Sequence, residues 1–276
     1  MADFATLPGG LLFGTDRADL VHADADIPGS FDNLIMTFGG SDTIHAGQGD
    51  DIVFAGGSGG GDDDRGRGRG RDRDDDDHGR GRGRDDDHGH GGSRGGDDHH
   101  GGPALPARGG DSDWVFGDEG NDILFGGKGD DVMSGGADND ILFGDEGNDV
   151  LSGDAGADLI YGGKGKDLLV GGAGADTLLG GAGADTLAGQ GGADTFYFES
   201  GFGRDVVLDF RPGDDVIAIQ ANINGTGINS ADDLADRISS SGTGAVIDLG
   251  DGDQIKLVGV SSEDLLNNLS SYVKIV

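Results

Sequence analysis

An aspartate recurs at every ninth residue through the middle of this sequence, and carboxylates at a fixed spacing are suited to binding cations or exchanging protons. From residue 117 to 197 the chain divides into uninterrupted blocks of nine residues, and the sixth position of every block is Asp. One more block, at 108–116, precedes them. So strict a period indicates a repeated ligand rather than one catalytic acid and base. The aspartates are Asp113, Asp122, Asp131, Asp140, Asp149, Asp158, Asp167, Asp176, Asp185 and Asp194.

Glycine occupies the first position of all the blocks from 117 and the fourth position of all but one, where Asp138 replaces it. Because glycine adopts positive φ at no steric cost, these positions predict tight turns with exposed carbonyl oxygens. We expect those carbonyls to act as ligands together with the aspartates. The glycines concerned are Gly117, Gly120, Gly126, Gly129, Gly135, Gly144, Gly147, Gly153, Gly156, Gly162, Gly165, Gly171, Gly174, Gly180 and Gly183.

The last three positions of each block are the only stretch that predicts a strand, since they are rich in Ile, Val, Leu, Phe and Thr. The eighth position is always large and apolar, from Leu124 to Phe196. Alternation along a three-residue strand sends position 8 to one face and positions 7 and 9 to the other. Two half-turns of nine residues then make one full turn of a two-sheet solenoid. We therefore predict an all-β fold in which aspartates eighteen residues apart stack in two columns.

Stacked carboxylates require a cation. Parallel strands would bring successive aspartates of one column to about 5 Å, and like charges so close in a partly dehydrated turn are unstable. Calcium takes six to eight oxygen ligands, including carboxylates and carbonyls, in flexible geometry. We therefore predict several Ca²⁺ ions, about eight in the main repeats, as the cofactor. The alternative is a solvated Gly- and Asp-rich tract that binds no metal.

The composition points the same way. The formal net charge is −34, glycine contributes 61 residues, and only 34% of the residues are hydrophobic. So little apolar surface does not offset the entropy of ordering the backbone unless a cation neutralises the chain. Phosphate would be repelled by this charge, so nucleic acid is not an expected partner. The absence of cysteine excludes disulfides and thiolate metal sites.

Weaker repeats precede the regular ones. Blocks at 37–45 and 46–54 supply Asp42 and Asp51 as further ligands, and 14–22 is a degenerate copy. Between them and the main repeats, DDDRGRGRGRDRDDDDHGRGRGRDDDHGH dominates a stretch without apolar period. We interpret this stretch as a disordered loop extruded from a turn, which would stack Asp42 on Asp113 and Asp51 on Asp122. Its RG runs and its Asp/His clusters leave nucleic acid or a transition metal as alternatives.

The nonapeptides resemble the calcium-binding repeats of the RTX family, whose pattern is G-G-x-G-x-D-x-U-x. The resemblance implies a right-handed parallel β-roll with Ca²⁺ between successive turns. The sequence departs from the pattern at some glycine positions, and we expect some turns to be re-aimed there. The departures are Asp118, Asp145, Asp154 and Gln190 at the second glycine and Asp138 at the third.

The segment FESGFGRDVVLDFRPGDDVIAI that follows the repeats is similar to the segment that ends the roll in serralysin-type proteases and related RTX proteins. This similarity implies a small α+β cap and adds Asp205 and Asp209 to the candidate metal site. It also implies an uncleaved C-terminal signal, the type I secretion apparatus as a partner, and an extracellular location. That expectation agrees with an N-terminus that does not read as a cleaved signal peptide.

Four domains are predicted. They are 1–56 with degenerate repeats, 57–107 as the low-complexity insertion, 108–197 as the β-roll and 198–276 as the cap with the type I secretion signal. In the last of these, a short helix is predicted over 230–239, with Ser230 as N-cap and Asp233 in a capping box. A hairpin around residues 251–253, a second helix from Ser261 and a final strand in YVKIV complete the predictions.

No catalytic motif stands out. The sequence lacks H-E-x-x-H, and the two G-x-S-x-G strings around Ser58 and Ser93 lie in Gly-rich sequence without the strand and helix that a nucleophile elbow needs. We therefore predict that the protein is not an enzyme. The predicted function is a secreted Ca²⁺-binding module in adhesion or surface interaction. The alternative is a membrane-active effector related to RTX toxins, which leaves membrane contact open.

A partner surface is also predicted. Position 9 of alternate blocks is Phe125, Phe143 and Tyr161, so one outer face should carry an apolar stripe. This stripe would contact a cell-surface or matrix partner, because large exposed apolar patches mark interaction sites. Coverage of the stripe by the N-terminal segment or by the cap is the alternative.

Overall fold

The computed structural model describes residues 5–7, 11–14, 18–23, 32–55 and 112–276. Almost all of this part of the chain is built from short strands. In sequence order they are β1 (Ala5–Leu7), β2 (Leu11–Phe13), β3 (Leu20–His22), β4 (Leu34–Met36), β5 (Thr43–Gln48), β6 (Ile52–Phe54), β7 (Trp114–Glu119), β8 (Ile123–Lys128), β9 (Val132–Ala137), β10 (Ile141–Glu146), β11 (Val150–Ala155), β12 (Leu159–Gly165), β13 (Leu168–Ala173), β14 (Thr177–Gly183), β15 (Thr186–Gly191), β16 (Thr195–Phe198), β17 (Arg204–Val207), β18 (Val216–Ile219), β19 (Ile238–Ser241), β20 (Gly244–Gly250), β21 (Asp253–Val258) and β22 (Val273–Ile275).

Successive strands alternate between two sheets, as the nine-residue half-turn requires. Sheet 1 holds β1, the even-numbered strands from β2 to β18, and β22; sheet 2 holds the odd-numbered strands from β3 to β17 and the hairpin strands β19 to β21. Within the repeats the pairing is parallel with a register of eighteen residues, so Ile141 lies between Ile123 and Leu159. The chain is therefore a parallel β-roll, and the predicted fold class is confirmed.

The strands are longer than predicted. Three residues per strand were expected, yet β8 runs over six, from Ile123 to Lys128. Pairing continues through the first three positions of the next block, where Glu146 lies opposite Lys164. Glycine disfavours strands when it stands alone, but here each glycine meets an identical backbone in the turns before and after it. Regular pairing of the neighbours overrides the local propensity.

The core is one column of apolar side chains per sheet. The position-8 residues are all buried, with Leu124 at 0% and Met133 at 1% exposure, and both columns belong to one cluster. Positions 7 and 9 are half-buried or exposed, as the alternation predicts, apart from Ala188, which is 9% exposed. A core this thin offers little hydrophobic stabilisation per residue.

The departures from the glycine pattern keep the roll in register, and the local backbone changes at Asp138, since Gly120 and Gly147 at the same repeat position have φ of 129° and 158°. Asp118 and Asp145 replace the second glycine with φ of 75° and 72°, and Asp138 replaces the third with φ of 78°. Asp145 still pairs in register with Gly163. Aspartate is among the few residues besides glycine that enter the left-handed region at modest cost, so the turn is kept.

The solenoid continues across the stretch between the weaker and the regular repeats. Thr43 of β5 pairs with Trp114 of β7, and Ile52 of β6 pairs with Ile123 of β8. This is the register that an extruded loop predicts. The segment predicted as that loop, 57–107, lies outside the described residues, and the four domain boundaries stay predictions.

The cap extends both sheets. β18 pairs in parallel with β22, and β17 pairs in parallel with β21. The predicted hairpin is formed by β20 and β21, and the predicted last strand is β22, so both are confirmed. Helix α1 (Ser262–Asn267) begins where a second helix was expected, with Ser261 as N-cap, and α2 (Leu269–Tyr272) follows it.

The predicted helix over 230–239 is shorter and tighter than expected. It is a 3₁₀ helix from Ala231 to Arg237, after which the chain enters β19. Asp233 accepts a hydrogen bond from the backbone N–H of Ser230 at 2.9 Å, so the capping interaction is present. A second 3₁₀ turn spans Ile223–Gly225. None of the helices in the described ranges is long and apolar enough to cross a membrane.

Candidate calcium-binding ladders

The position-6 aspartates form two hydrogen-bonded columns. One column runs along the bends that lead into sheet 1, and the other runs along the bends that lead into sheet 2. In each pair, the backbone N–H of one aspartate donates to Oδ1 of the aspartate one turn later, as Asp122 does to Asp140 and Asp131 to Asp149, both at 2.8 Å. Ladder 1 precedes the strands of sheet 1 and consists of Asn33, Asp51, Asp122, Asp140, Asp158, Asp176, Asp194 and Asp215. Ladder 2 precedes the strands of sheet 2 and consists of Asp19, Asp42, Asp113, Asp131, Asp149, Asp167, Asp185 and Asp205.

The second carboxylate oxygen of most ladder members is buried and makes no hydrogen bond. These side chains are only 1–3% exposed. A buried carboxylate oxygen without a partner is costly, because it has lost water and gained nothing in return. The residues whose Oδ2 is in this state are Asp122, Asp131, Asp140, Asp149, Asp158, Asp167, Asp176, Asp185 and Asp205.

A glycine lies against each of these oxygens except that of Asp205. A Cβ added at Gly144 would come within 2.5 Å of Oδ2 of Asp149 and within 2.5 Å of the carbonyl oxygen of Gly162, one turn later. The carboxylate and the carbonyl of successive turns therefore border the same small space, which a side chain at position 1 would fill. The same arrangement recurs at Gly117, Gly126, Gly153, Gly162 and Gly171.

This donor set fits calcium. The described residues contain no cluster of three acidic or histidine side chains able to hold a metal by themselves. A cation between two turns would instead combine carboxylates with backbone carbonyls. Calcium accepts such mixed oxygen ligands, whereas metals that prefer imidazole or thiolate do not suit them.

The electrostatics of the ladders favour a bound cation. Burial, with Asp131 and Asp167 as charged neighbours, raises the pKa of Asp149 to about 8. Burial likewise raises the pKa of Asp140 to about 7 and that of Asp205 to about 8. Without a cation these carboxyls resist ionisation near neutral pH. Because calcium binds the ionised form, its binding is coupled to proton release.

The structure brings together nearly all of the predicted aspartates. The ten from Asp113 to Asp194 lie in the two ladders, and so do Asp42, Asp51 and Asp205. The predicted stacking of Asp42 on Asp113 and of Asp51 on Asp122 is present, at 2.7 Å from backbone N–H to Oδ1 in both cases.

Asp209 lies off the ladders. Its two oxygens accept hydrogen bonds from the backbone N–H groups of Gly189, at 3.0 Å, and Gln190, at 2.8 Å. It thus holds a turn of the roll by its backbone rather than facing the space between two ladder members.

Three ladder members were missed from the sequence. Each of them is followed by three strand residues, and the middle one of the three is buried, as in the regular blocks. The missed members are Asp19, Asn33 and Asp215. Asp215 follows Asp194 by 21 residues rather than eighteen, because the turn between them is longer. A search for the short D-x-U-x signature without a fixed period would have found it.

A second set of hydrogen bonds runs beside ladder 1 in the opposite direction. Asn139 donates from its backbone N–H and from Nδ2 to Oδ1 of Asn121, at 3.2 and 3.1 Å, and Ala157 donates its N–H to Oδ1 of Asn139 at 2.8 Å. Asn121 donates in the same way to Asp50. These exposed position-5 side chains join the turns without any need for a cation.

Part of the chain matches a known protein family. Five segments match the RTX calcium-binding nonapeptide repeat, of which the last four overlap, namely 28–58, 109–142, 134–169, 143–178 and 170–205. No curated protein matches the chain.

Two solved structures are similar. One is the extracellular lipase LipA from Serratia marcescens, 19% identical, with 60% of this chain and 40% of the lipase covered at a TM-score of 0.30. The other is the AlgE6R3 subunit of the Azotobacter vinelandii mannuronan C5-epimerase, 28% identical, with 52% of this chain and 78% of that subunit covered at a TM-score of 0.30. The chain thus spans less than half the length of the lipase. The segments 28–58 and 109–205 of this chain therefore carry RTX calcium-binding nonapeptide repeats.

Proposed function

We propose that this chain is a secreted protein whose repeats fold when they bind extracellular Ca²⁺ and which then acts as a structural or surface-interaction module. One observation supports the proposal above all. In six ladder members the buried Oδ2 atom has no hydrogen-bond partner and lies near a backbone carbonyl, across a space that only glycine leaves open; they are Asp122, Asp131, Asp149, Asp158, Asp167 and Asp176. A divalent cation would satisfy both sets of oxygens at once.

The thin core makes folding depend on the metal. With one buried apolar side chain per half-turn, the repeats gain little from hydrophobic burial, and the chain carries a net charge of −34. About eight Ca²⁺ would offset about half of that charge, and their binding free energy becomes folding free energy.

This coupling fits export through the type I apparatus. Affinities on the order of 10⁻⁴–10⁻³ M, as in extracellular modules, would leave the chain unfolded before secretion and folded afterwards. The expected location is therefore extracellular.

The stripe of Phe125, Phe143 and Tyr161 supports a role in surface contact. The rings of Phe125 and Phe143 stack with centroids 4.9 Å apart, and Tyr161 meets Phe143 at 6.3 Å. Leu159 and Ile52 lie on the same outward face of sheet 1, 37% and 38% exposed. A continuous apolar and aromatic face of this kind suits docking to a cell-surface or matrix partner.

Calcium titration followed by far-UV circular dichroism tests the folding part of the proposal. The full chain should show little β signal in EGTA and gain it cooperatively as Ca²⁺ is added, whereas Mg²⁺ at the same concentration should not replace it. A native β spectrum in EGTA would contradict metal-dependent folding.

Paired substitutions test the surface part. Phe143→Ser with Tyr161→Ser should abolish binding to the surface of the producing cell and leave the calcium midpoint unchanged. Val170→Ser on the outward face of sheet 2 is the matched control. A lowered calcium-saturated stability without any change in binding would show that the stripe is covered core. Leakage from liposomes in calcium would favour the membrane-active effector instead.

A further inference from the structure

Ladder 1 ends on a positive charge that belongs to the chain. Nη2 of Arg211 lies 3.2 Å from Oδ2 of Asp194 and 3.1 Å from Oδ1 of Asp215, the last two members of the ladder. The same nitrogen donates to the carbonyl oxygen of Gly192. Two carboxylate oxygens from successive turns and one turn carbonyl thus converge on a single cationic group.

The two carboxylate oxygens correspond to those of the earlier intervals of the ladder. The carbonyl differs, because Gly192 is the fourth residue of its block, whereas Oδ2 of Asp158 lies near the carbonyl of Gly171, the first residue of a block one turn later. In Asp140, Asp158 and Asp176 the Oδ2 atom is buried without a hydrogen-bond partner. In Asp194 the Oδ2 atom accepts a hydrogen bond from the guanidinium of Arg211. The guanidinium is permanently charged and presents its donors in a rigid plane, so it is a stable substitute for a cation between carboxylates.

The turn that carries Arg211 is fixed from both sides. Its backbone N–H donates to Oδ2 of Asp215 at 2.7 Å, and its carbonyl oxygen accepts from the N–H of Asp215 at 3.0 Å. Phe210, the residue before it, is 4% exposed and packs against Phe196 and Tyr272 with centroids 6.3 and 5.8 Å away. The backbone from which the guanidinium extends is therefore held by Asp215 and by the packing of Phe210.

Ladder 2 ends differently. Its last pair is Asp185 and Asp205, and Oδ2 of Asp205 is buried without a hydrogen-bond partner. Beyond it, Asp253 accepts hydrogen bonds from the N–H groups of Gly201 and Gly203, at 2.7 and 2.8 Å. Among the ion pairs of the described residues, none joins an arginine or lysine to Asp205.

We propose that Arg211 occupies the last cation position of ladder 1, so that the interval between Asp194 and Asp215 is closed by the chain itself and takes no Ca²⁺. The inference rests on the proposed function, since it assumes that the other intervals bind calcium. The two ladders then end differently at the C-terminal end of the roll. Ladder 2 ends with a metal, and ladder 1 ends with a guanidinium. The cap then closes the end of ladder 1 without a metal in that interval.

Counting bound ions by native mass spectrometry of the full chain at saturating Ca²⁺ tests this. Arg211→Gln removes the charge and opens the interval, so this variant should carry one Ca²⁺ more than the wild type. Arg204→Gln, at an exposed arginine of β17, is the matched control and should leave the number unchanged. Asp215→Asn keeps an oxygen for the ladder hydrogen bond and should also leave the number unchanged.

Two results would overturn the inference. One is an equal number of ions in Arg211→Gln and the wild type; the other is the loss of one ion in Asp215→Asn, which would place calcium in that interval. If Arg211→Gln does not regain its β spectrum in calcium, the Asp215→Asn count decides alone. A wild-type chain that binds no calcium would refute the proposed function itself and is distinguishable from both.

Discussion

The backbone N–H of Asp140 donates a 2.8 Å hydrogen bond to Oδ1 of Asp158, while Oδ2 of Asp158 is buried without a hydrogen-bond partner. The two oxygens of one carboxylate therefore have different roles. One joins successive turns, and the other is available to a cation. Because the roles belong to different atoms, substitutions are able to separate them.

Replacing Asp158 in the middle of ladder 1 should weaken two neighbouring calcium sites. Asp158→Asn keeps an oxygen for the N–H of Asp140 but removes the charged ligand, so the calcium midpoint should rise at least about tenfold, corresponding to about 1.4 kcal/mol or more. Asp158→Ala should raise it further because the hydrogen bond is lost as well. Asp236→Ala, at an exposed aspartate of the cap, is the control, and an equal shift there would refute the ligand assignment.

Filling the space beside one carboxylate should have a similar effect without altering any ligand side chain. In Gly144→Ala the new methyl carbon would lie 2.5 Å from both Oδ2 of Asp149 and the carbonyl oxygen of Gly162, which is too close for a carbon atom. The calcium midpoint should rise and one fewer ion should bind. Gly242→Ala adds a methyl with no atom within 4 Å and should change neither quantity. Identical titrations for the two variants would show that the space holds no ion.

Acid should partly replace calcium. Burial raises the pKa of Asp149 and of Asp205 from 3.8 to about 8, so in the metal-free folded state protonation is favoured. Groups whose pKa is raised on folding favour the folded state most below the unfolded value, and that contribution is lost as pH rises through the folded value. Calcium-stripped protein in calcium-free buffer should therefore show more β signal at pH 5 than at pH 8.

The control for this prediction distinguishes the effect of the buried ladder carboxylates from the effect of the net charge of the chain. Asp149→Asn with Asp205→Asn should flatten the pH dependence. Asp232→Asn with Asp236→Asn removes the same charge from exposed positions and should leave it steep. A β signal that increases with pH in the calcium-free wild type would contradict the assigned direction.

The asparagine hydrogen bonds beside ladder 1 should contribute stability without affecting calcium. Asn139→Ala removes the bond from Nδ2 to Oδ1 of Asn121 and the bond that Oδ1 accepts from the N–H of Ala157, so the free energy of unfolding in saturating calcium should fall by about 1–2 kcal/mol. The number of bound ions should stay the same. Chemical denaturation and native mass spectrometry measure the two quantities, and loss of an ion would indicate that position 5 takes part in binding.

Deleting 58–107 should leave calcium-dependent folding intact. The flanking strands already pair in register, Thr43 with Trp114 and Ile52 with Ile123, so the roll does not need that segment for its continuity. Circular dichroism of the deletion variant should give the wild-type calcium midpoint. A variant that stays unfolded in calcium would show that the segment contributes to the roll.

The period of the sequence is sufficient to predict the sheets, their register and the buried column from Leu124 to Phe196, because each position meets its own equivalent one turn away. Strand length is not predictable in this way, since glycine's low strand propensity hides the pairing of positions 1 to 3. The ends of the ladders cannot be predicted from the repeat period either, for a different reason. A longer turn displaces Asp215 from the register, and only folding brings Arg211 and Asp194, 17 residues apart, together.

The uniform register has a consequence for how such a chain changes over generations. Each turn pairs only with the turns before and after it, eighteen residues away, and the two ladders repeat with the same interval. Duplicating or deleting eighteen residues in the middle of the roll would recreate the same junctions on both sides. The roll can therefore gain or lose whole turns without any change at either end. An insertion of nine residues would instead place each later strand in the opposite sheet, and the apolar stripe would be divided between the two outer faces.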